Sequence, residues 1–498
     1  MSQLSKLRLV PFVCAALASA ASAQIAFDPP TTIPAALRPS ATLIVDVDGD
    51  GDDDHVLTAD QPDRLEIRLN DGAGNLALAQ TVLLGANTSA QEIASGDFDG
   101  DGDTDLAIAL DNTSSVRIVT NAAGTFQLGA SFPAGAGTRG LDAGDVDGDG
   151  DVDLVTANRD GNSATLLLND GLGSFASAST TVGAEPRDVS LADFDGDGDL
   201  DAAVSAHDVR RVDVLLFANG AFTLAASLPV PPSTRPEGVD TADVDGDGDA
   251  DILAAVSDDF FNAVGLYRNG GTGTFGPVQS FLVTGADASH VVAADLDGDG
   301  DLDVACTKQG SNNVSLLAND GAGNLSEVAN IAVGTTPEDV SAGDLTGDGG
   351  NDLSIACRDS NDVYVLVNQN GAGLSQSLVT PAVIGQTGIL RLSAPAFAGQ
   401  GYLAAFSQTS SPGIPLPQGI VPLTADAVFF LSITAGNGVF VNNVGFLDAA
   451  GSADVLIVLP NNPALIGFSM FSAFITFDVT GPAPGITAIS GALPIVIS

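Results

Sequence analysis

The sequence predicts an all-β chain, a seven-bladed β-propeller followed by a C-terminal β-sandwich. Three observations predict it. An aspartate-rich string, D-x-D-G-D-G-D-x-D, starts at Asp46, Asp97, Asp145, Asp193, Asp243 and Asp295, with a weaker copy at Asp344, in steps of 51, 48, 48, 50, 52 and 49 residues. Each copy is set among four short apolar segments separated by Gly, Asn and Asp turns, and no helical periodicity interrupts them. The pattern stops near residue 381, where the composition changes.

The elements follow in chain order. Lys6 and Arg8 precede an apolar run from Leu9 to Ala20 and the small residues Ala21-Ser22-Ala23, so residues 1–23 read as a secretory signal peptide. Residues 24–40 form an N-terminal segment in which Ile25–Ile33 resembles a fourth strand. It competes with Leu374–Thr380 for the place that closes the ring, and the sequence leaves that choice open. The propeller is expected over residues 41–380. In blade four the pattern runs from Asp188–Ala192 through the aspartate loop to Leu200–Ser205, Val212–Phe217 and Phe222–Ser227. Hairpins such as Asn70-Asp71-Gly72 and Asn169-Asp170-Gly171 supply residues that tolerate positive φ.

Composition bounds the function. The 498 residues carry 63 Asp and Glu against 16 Lys and Arg, a net charge of −47, so nucleic acids and anionic membranes are expected to be repelled. A hydrophobic content of 45% argues against wholesale disorder. No transmembrane segment is expected: the best candidate, Ala464–Phe477, is 14 residues long and carries Ser469, Ser472 and Thr476. The mature protein is expected to be exported and soluble, and its oligomeric state is left open.

The aspartate loops have the chemistry of calcium sites. Carboxylates at positions one, three, five and nine, with a backbone carbonyl at seven, offer the hard oxygen ligands that Ca²⁺ prefers; Mg²⁺, which demands stricter geometry, is the poorer match. Blade one contributes Asp46, Asp48, Asp50, Asp52 and Asp54, and blade two Asp97, Asp99, Asp101, Asp103 and Asp105. Asp145, Asp147, Asp149, Asp151 and Asp153 follow in blade three, then Asp193, Asp195, Asp197, Asp199 and Asp201 in blade four. Blade five holds Asp243, Asp245, Asp247, Asp249 and Asp251; blade six holds Asp295, Asp297, Asp299, Asp301 and Asp303. Blade seven keeps only Asp344, Thr346, Asp348 and Asp352, so six strong sites and one weaker are expected. The position an EF-hand reserves for glutamate is Val204 in blade four and Thr156 in blade three, which excludes that motif. His55 reads as part of a strand and not as a ligand.

The loop in its strand context, Val189 through Asp201, resembles the FG-GAP/VCBS repeat family, whose blades occur in integrin α-subunit heads and many secreted bacterial proteins. The resemblance covers about residues 41–380 and implies a calcium-binding propeller. The Gly-Ala-Pro element of the integrin version is absent, so integrin-like recognition is not implied.

A partner is expected on the face opposite the calcium loops. Fourteen residues past each first aspartate stand Asp60, Asp111, Arg159, His207, Ser257, Gln309 and Arg358; six before it stand Ser40, Gln91, Arg139, Arg187, Glu237, Ser289 and Glu338. Arg139, Arg159, Arg187, His207 and Arg358 are the candidate contacts to an acidic or polyhydroxylated ligand such as a glycan, or to an extracellular protein. Ordinary solvated loop tips are the plain alternative. The chain has no Trp and three Tyr, which counts against strong sugar stacking, and Phe260 with Phe261 reads as a packing plug.

Cys306 and Cys357 fall on equivalent strands at offsets that differ by two, which favours two buried thiols over a bridge. Residues 381–498, nearly free of charge, predict the sandwich. The leading reading is a secreted, calcium-binding scaffold for binding or adhesion at the cell surface or in the matrix. A carbohydrate-active enzyme, lyase or hydrolase, and a purely structural surface-layer component are the alternatives. An enzyme is not expected, because metal loops account for most clustered aspartates and no nucleophile–base constellation is visible.

Overall fold

A computed structural model describes residues 25–369, apart from Ala36 and Asp259, together with the backbone of further strands between Ser375 and Val496. The expected signal peptide and the side-chain packing of the expected sandwich lie outside the described residues. The C-terminal strands pair as one four-stranded sheet, one sheet built on Ser469–Asp478 and a short two-stranded ladder.

The repeat folds as seven four-stranded antiparallel sheets, six of them taking their strands in sequence order from the axis outward and the seventh taking its outermost strand from the N-terminal segment. The first strands, Leu37–Val45, Ala90–Gly96, Thr138–Gly144, Pro186–Ala192, Arg235–Ala242, Ala288–Ala294 and Pro337–Gly343, adjoin one another around the ring and wall a central channel. Second strands such as Asp105–Leu110, Asp153–Asn158 and Asp201–Ala206 are buried along their whole length. Both of their faces are covered by neighbouring blades, which is why they read as runs of Ala, Val, Leu and Ile without alternation. Fourth strands form the rim, and Phe175–Thr181 is exposed at five of its seven residues.

The ring is closed by the N-terminal segment. Thr31–Pro34 pairs antiparallel with Asp362–Leu366, register Thr31 to Val365 and Pro34 to Asp362, and supplies the fourth strand of blade seven. Its rival, Ser375–Thr380, pairs instead with Thr387–Ser393. Blade seven therefore joins both ends of the repeat region in one sheet.

Apolar residues from adjacent blades form the cores. Phe98 of the blade-two loop meets Phe175 of blade three edge-on at 6.0 Å, and Phe132 meets the same ring at 4.9 Å. Cys306 and Cys357 are free and fully buried, and burial pushes both thiols up to about 12.

Candidate functional site

Each aspartate loop joins the first and second strands of its blade and is shaped by its own carboxylates. In blade four the Asp193 carboxylate accepts the Gly196 N–H at 2.7 Å and the Gly198 N–H at 3.0 Å, while Asp197 accepts that of Asp199 at 3.1 Å. Gly196 and Gly198 have φ of 76° and 98°, a region closed to most side chains, so glycine is required at both. The position-nine carboxylate, Asp201, accepts the Phe194 N–H with one oxygen and the Phe217 N–H with the other. Asp54, Asp105, Asp153, Asp251 and Asp303 make the same two bonds in their blades.

Position three is different. The buried Oδ1 of Asp99, Asp147, Asp195 and Asp245 has no hydrogen-bond partner. Carboxylate oxygens of Asp46, Asp48 and Asp50, of Asp97, Asp99 and Asp105, and of Asp145, Asp147 and Asp153 each converge within 4.8 Å, close enough to share one cation. Burial, then the neighbouring carboxylates, pushes the pKa of Asp99, Asp147 and Asp195 above its ordinary value. A dication at this point would answer both the orphaned oxygens and the repulsion, so the residues present fit Ca²⁺. The position-seven side chains lean elsewhere: a Cβ on Gly171 of the adjacent hairpin would stand 2.5 Å from the Asp151 carboxylate, which leaves position seven its backbone carbonyl. His55 is no ligand; it is buried, its Nε2 lies 2.8 Å from both Thr42 Oγ1 and Ser354 Oγ, and burial with Arg68 nearby lowers its pKa to about 3.

Two features lock the loops to the ring. The residue at position two, Val47, Phe98, Val146, Phe194, Val244, Leu296 or Leu345, is at most 1% exposed. In six blades the hairpin asparagine donates its Nδ2 to the carbonyl of that residue in the preceding blade, as Asn121 does to Val47, Asn169 to Phe98 and Asn70 to Leu345. The same asparagines read from sequence as turn residues alone; their fixed offset of 24 from the first aspartate in five blades was the available signal.

At the channel mouth every first strand carries a β-bulge, for example between Pro186 and Val189 and between Ala288 and Val291. A bulge turns its extra residues out of the ladder, here toward the axis. Glu92, Asp188, His290 and Asp339, from blades two, four, six and seven, meet there. His290 Nδ1 lies 3.1 Å from Asp339 Oδ1, and its Nε2 lies 3.5 Å from Asp188 Oδ2 and 4.0 Å from Glu92 Oε2. Asp188 also accepts the Val239 N–H and Asp339 the Thr42 N–H, both at 2.8 Å, so each carboxylate ties its blade to the next. Burial pulls the His290 pKa down, but Asp339, Asp188 and Asp240 together raise it above its ordinary value. Burial, then Asp339 and Asp188, pushes Glu92 well up.

The FG-GAP-like repeat family matches six overlapping stretches, residues 46–108, 97–156, 145–204, 193–254, 243–306 and 295–355. The chain belongs to the FG-GAP-like repeat family. Each match runs from one loop through the second strand of the next blade, so the repeat unit straddles the blade boundary that the asparagines bridge. No curated protein matches the chain. Among solved structures, BBS1N in complex with ARL6DN is similar to this FG-GAP propeller at TM-score 0.51 and 13% identity, over 69% of this chain and 97% of that one. A putative 6-phosphogluconolactonase from Bacteroides fragilis is similar at TM-score 0.47 and 16% identity, over 60% and 86%. The periplasmic gluconolactonase of Pseudomonas aeruginosa is similar at TM-score 0.47 and 14% identity, over 60% and 87%. These likenesses show the fold alone.

The expectation that the FG-GAP chain is not an enzyme is corrected. Solved propellers that resemble it include ones named as gluconolactonases. The exclusion also rested on the absence of a visible nucleophile–base constellation along the sequence, a ground that does not reach groups assembled from separate blades, such as His290 with Glu92, Asp188 and Asp339 in the channel. Folds host many functions, so the resemblance carries no activity to this chain.

The opposite face of the FG-GAP propeller carries the predicted cationic residues, and most are paired. Arg187 binds Glu185 at 2.8 Å and also Glu237; His207 Nε2 lies 3.0 Å from Glu237. Arg358 binds Glu338 at 2.9 Å and faces Asp60 at 3.6 Å, and Arg159 lies 3.3 Å from Asp111. Arg139 lines the channel mouth with Arg187, Arg358 and Glu338. Phe261 packs into the blade-five core, whereas Phe260 is 96% exposed beside Arg210 and Arg235.

Proposed function

We propose that this FG-GAP propeller is an exported, calcium-stabilised binding scaffold whose channel-mouth face takes a polyhydroxylated ligand, a glycan chain. The observation that carries the calcium part is the orphaned position-three oxygen repeated in four blades. Export rests on the basic, apolar and small-residue pattern of residues 1–23, and no helix among the described residues is long and apolar enough to cross a membrane.

The ligand class follows from the charge pattern of the face. A polyanion needs free cations, and Arg159, Arg187 and Arg358 already face carboxylates. Alternating guanidinium donors and carboxylate acceptors, held rigid by one another, suit hydroxyl groups, which both donate and accept. Exposed Phe260 adds an apolar platform beside Glu237, Arg210 and Arg235. Glycan-array binding with calcium and with chelator is the test. Signal that falls when Arg139, Arg159 and Arg187 are changed to Ala supports the reading. Binding that ignores those changes, or an array without signal while a protein partner is captured, defeats it.

A further inference from the structure

We propose that the channel mouth holds a second kind of metal site, for a borderline divalent cation of the zinc class, with His290, Asp339 and Glu92 as ligands. It shares no residue with the aspartate loops.

The donor set decides the metal class. The loops offer oxygen only, which suits Ca²⁺, whereas an imidazole with two carboxylates suits Zn²⁺ and its neighbours. One ligand atom each from Glu92, His290 and Asp339 lies within 4.8 Å of the others. His290 Nδ1 is buried and makes no hydrogen bond, although Asp339 Oδ1 is 3.1 Å away. That separation is close to the roughly 3.3 Å expected between two ligand atoms bound about 2.0–2.1 Å from a tetrahedral ion. The other ring nitrogen faces Asp188 Oδ2 at 3.5 Å, the arrangement by which a carboxylate orients a metal-bound histidine, and Glu92 Oε2, 4.0 Å from that same nitrogen, would swing toward the Nδ1 side to bind the ion.

The carboxylates on either side of the imidazole are built in. The side chains of Asp339, a ligand, and Asp188, the orienting group, are 6% and 9% exposed, and each carboxylate is fixed by backbone N–H groups of its own strand and of the neighbouring blade. Three carboxylates around one imidazole leave an excess of negative charge that a dication would balance. The remaining coordination position would open toward the mouth, between Arg139, Arg187 and Glu338.

The full-length protein, saturated with calcium, is titrated with Zn²⁺ and its metal content measured by mass spectrometry; Co²⁺ replaces Zn²⁺ to read coordination from its visible spectrum. One zinc per chain, lost in His290→Ala and bound about 10–100-fold more weakly in Asp188→Asn, is the expected result. Asp195→Ala should lower calcium content and leave zinc unchanged, which separates this proposal from the calcium reading. His207→Ala tests the separate group of Glu185, His207 and Asp208 and should retain zinc. Absence of zinc from the calcium-saturated wild type overturns the proposal. So does zinc retained by His290→Ala, or a Co²⁺ spectrum that the histidine change leaves unaltered.

Discussion

Asn121 of blade two donates its side-chain amide to the Val47 carbonyl of blade one at 2.7 Å, and to its own blade's Thr104 carbonyl at 3.0 Å. One side chain thereby holds two adjacent aspartate loops at a fixed spacing. Asn121→Ala leaves two carbonyls without this donor, one of them on a fully buried loop residue, and should cost about 1–3 kcal/mol. Chemical denaturation checks it. Blade four has Phe217 at the equivalent place, so its boundary with blade three lacks this bond. The same kind of truncation there, Phe217→Ala, should act through lost packing and leave calcium content unaltered.

Calcium removal should lower the melting temperature steeply. An ion that binds only the folded loop adds about 2.7 kcal/mol per site at a hundred times its Kd. Thermal melts in chelator and in excess calcium measure the difference. Gly198→Ala, at a φ of 98°, should weaken the blade-four site through backbone strain of about 1–2 kcal/mol, with nothing within 4 Å for the new Cβ to strike. Equal melting temperatures with and without calcium would remove the basis of the calcium reading.

Stability should also depend on pH through Asp142. Burial pushes this channel-wall carboxyl up from 3.8 to about 7, against the Leu191 and Ala143 N–H bonds that favour its charged form, with Asp240 and Asp188 adding repulsion. Its stabilising contribution is complete below the unfolded value near 3.8 and is lost as pH rises through about 7. Melting temperature at fixed calcium should therefore fall between about pH 4 and about pH 7, and Asp142→Asn should flatten part of that fall. Asp240, raised to about 6 chiefly by burial, accounts for a further part.

Ring closure predicts the behaviour of a shortened chain. Deleting residues 24–36 removes Thr31–Pro34 and leaves Asp362–Leu366 as a free edge in blade seven. Open edges invite pairing with another chain, so the truncated protein should melt lower and self-associate with rising concentration. Light scattering alongside thermal melts reads both effects, and an unchanged monomer with an unchanged melt would argue against closure by this strand.

The period of the aspartate string and the alternation around it determined the blade count, the order of strands within six blades and the position of every aspartate loop, because those features are local. A nine-residue loop shapes itself through bonds such as Asp193 to Gly196 and Gly198, and a buried second strand declares itself by its unbroken apolar run. What crosses from blade to blade was decided only in three dimensions. Thr31–Pro34 outcompeted Ser375–Thr380 for the last place in blade seven through pairing partners more than 300 residues away. Glu92, Asp188, His290 and Asp339 look unremarkable one at a time, since each lies in a different repeat. Only closure of the ring, with a bulge in every inner strand, brings their charges together on the axis.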